Sequence, residues 1–184
     1  MTKLKGRNII FILIIMALLI PEALVAKTNI SKSPLRESWA PRIAIDFAGN
    51  LHVAWLELST STSGDIFYSR YDAITKTWSD PINLSNSGNI FSHSLWAHDI
   101  AADSSNRVYV VWVEKNSAKL RIWDGVWGPE ILVNSGGWYY DSPRLEVSPE
   151  GDIFIIWWTE DGMIWSKARV GGEWEATRLL SPST

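Results

Sequence analysis

Along residues 38–184 short apolar stretches alternate with polar turns rich in Gly, Asn and Ser, and the helical period of 3.6 is absent throughout. The pattern predicts strands over about 41–46, 51–57, 65–71 and 80–85, with counterparts further along the chain. The second strands carry the most information. One face reads Leu51/Val53/Trp55, Val108/Val110/Trp112 and Ile153/Ile155/Trp157. The opposite face reads His52/Ala54/Leu56, Tyr109/Val111/Val113 and Phe154/Ile156/Trp158. A strand apolar on both faces is covered on both sides. A four-stranded sheet held between two sheets like itself is the blade of a propeller, with aromatic side chains filling the wedge between blades.

These strands belong to one unit written three times. Pro41-Arg42-Ile43-Ala44-Ile45-Asp46-Phe47-Ala48-Gly49-Asn50-Leu51-His52-Val53-Ala54-Trp55 aligns without a gap on 143–157, Pro143 through Gly151 to Trp157. In the middle copy His98 takes the proline position, Asp103 matches Asp46, Asn106 matches Gly49 and Trp112 matches Trp55. An acid follows each tryptophan: Glu57, Glu114 and Glu160. Later in each unit Trp78, Trp127 and Trp174 lead, six residues on, to Leu84, Val133 and Leu180. The expectation is three four-stranded antiparallel blades over about 38–86, 93–134 and 138–182, an all-β array. A glycine at position 49 suits a tight turn, because it takes positive φ without steric cost.

The unit P-x-I-A-x-D-x-x-G-x-L-x-V-x-W followed by W-S-x-P-x-x-L-S resembles the BNR or sialidase-like β-propeller repeats, over nearly all of 38–184. The resemblance implies a propeller fold. Its Asp-box, S-x-D-x-G-x-x-W, has only approximate counterparts in Asp46 to Gly49 and Asp103 to Asn106, with another Asp-to-Gly offset. A sialidase route would need three arginines on a carboxylate. Arg42 and Arg144 are equivalent, but Asp99 stands at the middle position and breaks the set. The expectation is therefore a non-catalytic module, without cofactor or metal, that binds or scaffolds, toward carbohydrate first. A fragment of a larger exo-sialidase-like glycoside hydrolase and a protein-interaction platform are the alternatives.

Closed propellers have four to eight blades. Three blades leave two bare faces, and a large exposed apolar face is not tolerated in a soluble monomer. A homodimer closing a six-bladed ring answers this, as does a chain that is part of a longer propeller; an open three-blade monomer is the third possibility.

Ahead of the repeats, Lys3, Lys5 and Arg7 precede the unbroken apolar run Ile9–Ile20, then Pro21 and Ala23-Leu24-Val25-Ala26. Residues 1–26 thus read as a cleaved signal peptide or an uncleaved signal anchor, with membrane contact only through 9–20. A buried core helix is the remaining reading of this run. Twelve helical residues reach about 18 Å, short of the roughly 30 Å hydrocarbon core. Either targeting reading makes the protein extracytoplasmic. Residues 27–37, polar and aperiodic, read as a linker.

Composition narrows the chemistry. The chain has 184 residues, 17 Lys+Arg against 20 Asp+Glu, and a net charge of −3, so no basic excess points to nucleic acid. Cysteine is absent, which excludes disulfides, thiolate zinc sites and thiol catalysis. Twelve tryptophans and three histidines complete the picture.

In a propeller the start of each first strand and the end of each second strand share one rim. That rim gathers Trp39, Arg42 and Glu57; Trp96, His98, Asp99 and Glu114; and Tyr139, Tyr140, Asp141, Arg144 and Glu160. Aromatics beside carboxylates and guanidiniums suit a sugar, which offers an apolar ring face and hydroxyls. The plainer reading is wedge packing, with Arg and Glu locking neighbouring blades. His52, mid-strand, reads as packing. A metal pair from His93 and His98 is disfavoured, as is calcium at Glu160-Asp161-Gly162, which suits a turn.

Overall fold

In the computed structural model, which describes residues 29–91, 97–135, 140–159 and 161–181, every regular element is a strand. The expected leader, residues 1–26, lies outside the described residues. Among those described, no helix is long and apolar enough to cross a membrane.

Three antiparallel sheets follow one another. Blade one contains β1 (Ser38–Ile45), β2 (Leu51–Leu58) and β3 (Ser63–Asp72), edged by β4 (Thr77–Trp78), β5 (Ile82–Asn83) and β6 (Ile90–Phe91). Blade two contains β7 (His98–Ala102), β8 (Val108–Glu114) and β9 (Ser117–Asp124), edged by β10 (Val126–Trp127) and β11 (Ile131–Ser135). Blade three contains β12 (Tyr140–Val147), β13 (Ile153–Thr159) and β14 (Ile164–Val170), edged by β15 (Glu173–Trp174) and β16 (Arg178–Leu179). The single fourth strand expected near 80–85 is thus broken into short pieces, all paired to the third strand. Proline, serine and asparagine between Trp78 and Leu84 explain the break, since none favours a continuous ladder.

The first hairpin of each blade is built the same way. Gly49 N–H donates to Asp46 O, Asn106 N–H to Asp103 O and Gly151 N–H to Ser148 O, at 2.9–3.2 Å. Each of these three donors has positive φ, 83°, 64° and 93°. This is the three-residue hairpin loop whose last residue is left-handed, a position open to Gly and Asn. The matching of Asn106 to Gly49 therefore holds at the level of backbone conformation.

The strand faces alternate as the pattern predicts. The core is continuous across the blades and includes Leu56, Ile66, Trp112, Leu120, Ile155 and Trp157, all buried. Aromatic side chains bridge the first junction: Tyr68 meets Trp127 edge-on at 4.8 Å, and His52 meets Trp123 at 6.0 Å.

Residues 29–37 do not behave as a free linker. They lie along the outer face of blade one, beside Trp55, Phe67 and Pro81. Glu37 O accepts from Leu58 N–H at 2.9 Å, and Lys32 pairs with Asp80. The physical reason is that no described blade covers this face: a polar segment placed there shields Val53 and Trp55, which are buried.

Candidate functional site

Strand pairing brings the expected rim together. Ser38 is opposite Glu57, His98 opposite Trp112, and Tyr140 opposite Thr159. Trp96 and Glu160, and the glycine pair and tyrosine of 136–139, lie outside the described residues, as does His93. Tyr140 is placed by its backbone alone.

The other rim residues are largely engaged by the scaffold. Glu57 is almost fully enclosed; its Oε2 accepts from Ser33 Oγ at 2.6 Å and from Trp55 Nε1 at 3.2 Å, and Arg36 stands 4.0 Å from Oε1. Glu114 pairs with Lys119 at 2.9 Å, which also reaches Glu130 at 3.0 Å. Burial works against the Lys119 charge, but the two carboxylates outweigh it and raise its pKa. Arg42 Nε lies 3.9 Å from Asp99 Oδ1, while Asp99 Oδ2 accepts from Leu145 N–H at 3.1 Å. Asp99 thus ties all three inner strands together. Arg144 is exposed, with a guanidinium nitrogen on Pro143 O at 3.0 Å. Trp39 keeps an indole 42% exposed and donates to Glu37 at 3.0 Å.

His98 departs from the expectation of a ligand-facing side chain. It is 0% exposed, sealed between blades one and two. Burial, assisted by Arg42 and Arg144 and opposed by the carbonyls of Ala54 and Ala40, pulls its pKa down to about 4. The middle copy has placed His where the other two have Pro, and that position faces the neighbouring blade.

At the opposite end, the turns carry buried carboxylates. Asp46 Oδ2 accepts from Asn50 Nδ2 at 2.7 Å and sits 3.0 Å from His52 Nε2, whose Nδ1 is 2.7 Å from Tyr68 Oη. Asp103 receives Tyr109 Oη at 2.8 Å and Arg107 Nε at 2.6 Å. Burial pushes both carboxyls up, but these hydrogen bonds prevail and hold them below the usual range. His52 is a packing residue, as read from its mid-strand place. Among the described residues no cluster of three metal-ligating side chains occurs.

The open cavity of interest lies where 29–38 crosses blade one. About 370 Å³ is bounded by Trp55, Val53 and Pro41 below and by Ile30, Ser31 and Arg36 around it. A second hollow, about 380 Å³, opens on the far side of the same segment, against Glu57, Phe67 and Pro81. Ile30 and Pro41, with the edges of buried Val53 and Trp55, form an apolar floor; hydroxyls and a half-exposed guanidinium form the rim. Ser33 and Arg36 carry no sequence signal of their own. Polar and aperiodic, the stretch reads in sequence only as a linker.

Three consecutive antiparallel sheets, each built on a path of four strands and stacked with inner strands in mutual contact, define an all-β array of propeller blades. Similar solved structures carry the same fold. A point mutant of the Aleuria aurantia lectin in complex with α-methyl-L-fucoside aligns with 79% of this chain and 46% of its own, at 12% identity and a TM-score of 0.52. The same lectin with Fucα1-6GlcNAc aligns with 79% and 47%, again at 12% and 0.52. The chain therefore spans under half the length of these structures. No protein-family model and no curated protein matches it.

Proposed function

We propose that this chain is an exported, non-catalytic propeller module of the sialidase-like repeat type that binds carbohydrate in the pocket between residues 29–38 and blade one. The observation that carries the reading is the pocket itself: an apolar floor of Ile30 and Pro41 with the edges of Val53 and Trp55, beneath a rim of serine hydroxyls and the Arg36 guanidinium. The apolar face of a pyranose packs on such a floor, while ring hydroxyls take hydrogen bonds from a fixed, charged donor. The shared fold with a fucose-complexed lectin supports the class of ligand. The basic and apolar leader, Lys3 to Ala26, supports export.

The test is a glycan array followed by titration of the best glycan against tryptophan fluorescence. Arg36→Ala, at a half-exposed side chain, leaves the fold intact and is expected to weaken binding about tenfold or more. No glycan bound on the array, or an Arg36→Ala affinity equal to that of the parent chain, would overturn the reading.

A further inference from the structure

The chain holds two triads of the form Asn-x-Ser with x other than Pro, the acceptor pattern for an N-linked glycan: Asn29-Ile30-Ser31 and Asn83-Leu84-Ser85. In sequence the two are equivalent, and the fold separates them. An acceptor nitrogen has to reach a carbon held in another protein's active site, with the hydroxyl two residues on held there too. The triad must therefore be exposed and able to lift off the surface. Asn83 meets neither condition. It lies in β5 opposite Phe67, and Leu84 N–H donates to Ile66 O at 2.7 Å. Its Oδ1 accepts from Asn86 N–H at 2.8 Å, and its amide nitrogen donates to Asp65. Ser85 is buried; its Oγ donates to Asp65 Oδ1 at 2.7 Å and accepts from Ile66 N–H at 3.0 Å. Presenting Asn83 would peel β5 from β3 and strand these polar groups.

Asn29 meets both. It is exposed and belongs to no strand. Its Oδ1 accepts from Ser31 N–H at 3.1 Å and from Ser31 Oγ at 2.8 Å. This local turn sets the hydroxyl beside the amide and makes no use of the nitrogen Nδ2. Among the described residues, the hydrogen bonds of 29–31 all close within 29–33. Ties to blade one begin only with Lys32, paired with Asp80, and Ser33, bonded to Glu57. The triad can lift away without breaking a ladder.

We propose that Asn29 of the folded chain is a site of N-linked glycosylation and that Asn83, with the same motif, is not. The donor is an oligosaccharide on a polyprenyl diphosphate. Asn29 Nδ2 forms a bond to the anomeric carbon of its first sugar, and the bond from that carbon to the diphosphate oxygen breaks. The electron pair leaves with the polyprenyl diphosphate, and the amide nitrogen gives up one proton. That the chain meets such a donor and its transferase rests on the export reading; the contrast between the two asparagines does not.

The test incubates the purified full chain with a single-subunit oligosaccharyltransferase of Asn-x-Ser/Thr specificity and a polyprenyl-diphosphate oligosaccharide. Intact mass and peptide mapping read the product. Peptides spanning 26–34 and 80–88 give the enzyme's own preference between the two triads. In the folded chain the rate at Asn29 relative to Asn83 should exceed the peptide ratio by about tenfold or more, because reaching Asn83 requires local unfolding. Asn29→Gln and Ser31→Ala should each remove the glycan, and Asn83→Gln should leave it. A relative rate equal to that of the peptides, a glycan chiefly on Asn83, or no glycan on the folded chain would overturn the proposal. A chain that the purified enzyme modifies at Asn29 but that cells retain in the cytoplasm removes the export reading and leaves the acceptor standing. An exported chain that the enzyme leaves unmodified does the reverse.

Discussion

A histidine sealed in a junction makes the fold sensitive to acid. The His98 pKa falls from its ordinary 6.5 to about 4 because burial disfavours the charged ring. On acidification the unfolded chain therefore takes up a proton before the folded one. Stability from this residue is complete above pH 6.5 and declines as pH drops toward 4, by on the order of 3 kcal/mol in total. His52 is shifted the same way by burial, and Asp46 and Asp103, held low, add a further loss below the usual carboxylate range. The expected outcome is a melting temperature that falls between pH 6.5 and 4, with a shallower slope in His98→Phe; equal slopes would show that His98 is not the sensor. At this scale the sequence was informative about turns and less so about direction. Gly49, Asn106 and Gly151 could be matched because left-handed backbone restricts residue type locally. Whether His98 faced solvent or the next blade depended on a sheet packed against it.

At the scale of elements, the inner three strands of each blade were legible because two apolar faces alternate along them. The outer strand was less so: β11 runs to five residues, but the other outer pieces are two residues long, shorter than any period can register. Residues 29–37 were opaque for a related reason: a polar segment that covers an end face has no repeat to align with. Its hold on blade one is testable. Ser33→Ala removes the 2.6 Å hydrogen bond to enclosed Glu57. The expected cost is about 1–2 kcal/mol by urea unfolding, with acrylamide gaining access to Trp55 as the segment loosens. An unchanged midpoint together with unchanged quenching would show that the segment contributes nothing to that face.

At the scale of the molecule, the three described blades bury two junctions and present two outer faces. One end is partly shielded by the chain's own 29–37 segment; the other, Phe154/Ile156/Trp158, is not. An exposed apolar face of this kind takes up a hydrophobic dye. Ile156→Glu should lower dye binding by the folded chain while leaving the melting temperature close to the parent value; unchanged dye binding would show that this face is not the one the dye meets.

The repeat, the all-β class and the three-blade count follow from the sequence alone, because a unit written three times carries its alternation, turn and tryptophan at fixed intervals that no other architecture needs. The placement of the rim charges did not. Arg42, Asp99, Glu57 and Glu114 read as a ligand face in one dimension, and only the packed blades bring Asp99 against two neighbouring strands, Glu57 under Ser33 and Glu114 onto Lys119. Apart from Glu114 and Lys119, which share the β8–β9 hairpin, such pairings join residues far apart in the chain and are chosen by which partner shares a desolvated space. The pocket over Trp55 is of the same kind: its floor is a strand and its rim a segment without pattern, and it exists only where the tertiary structure lays one across the other.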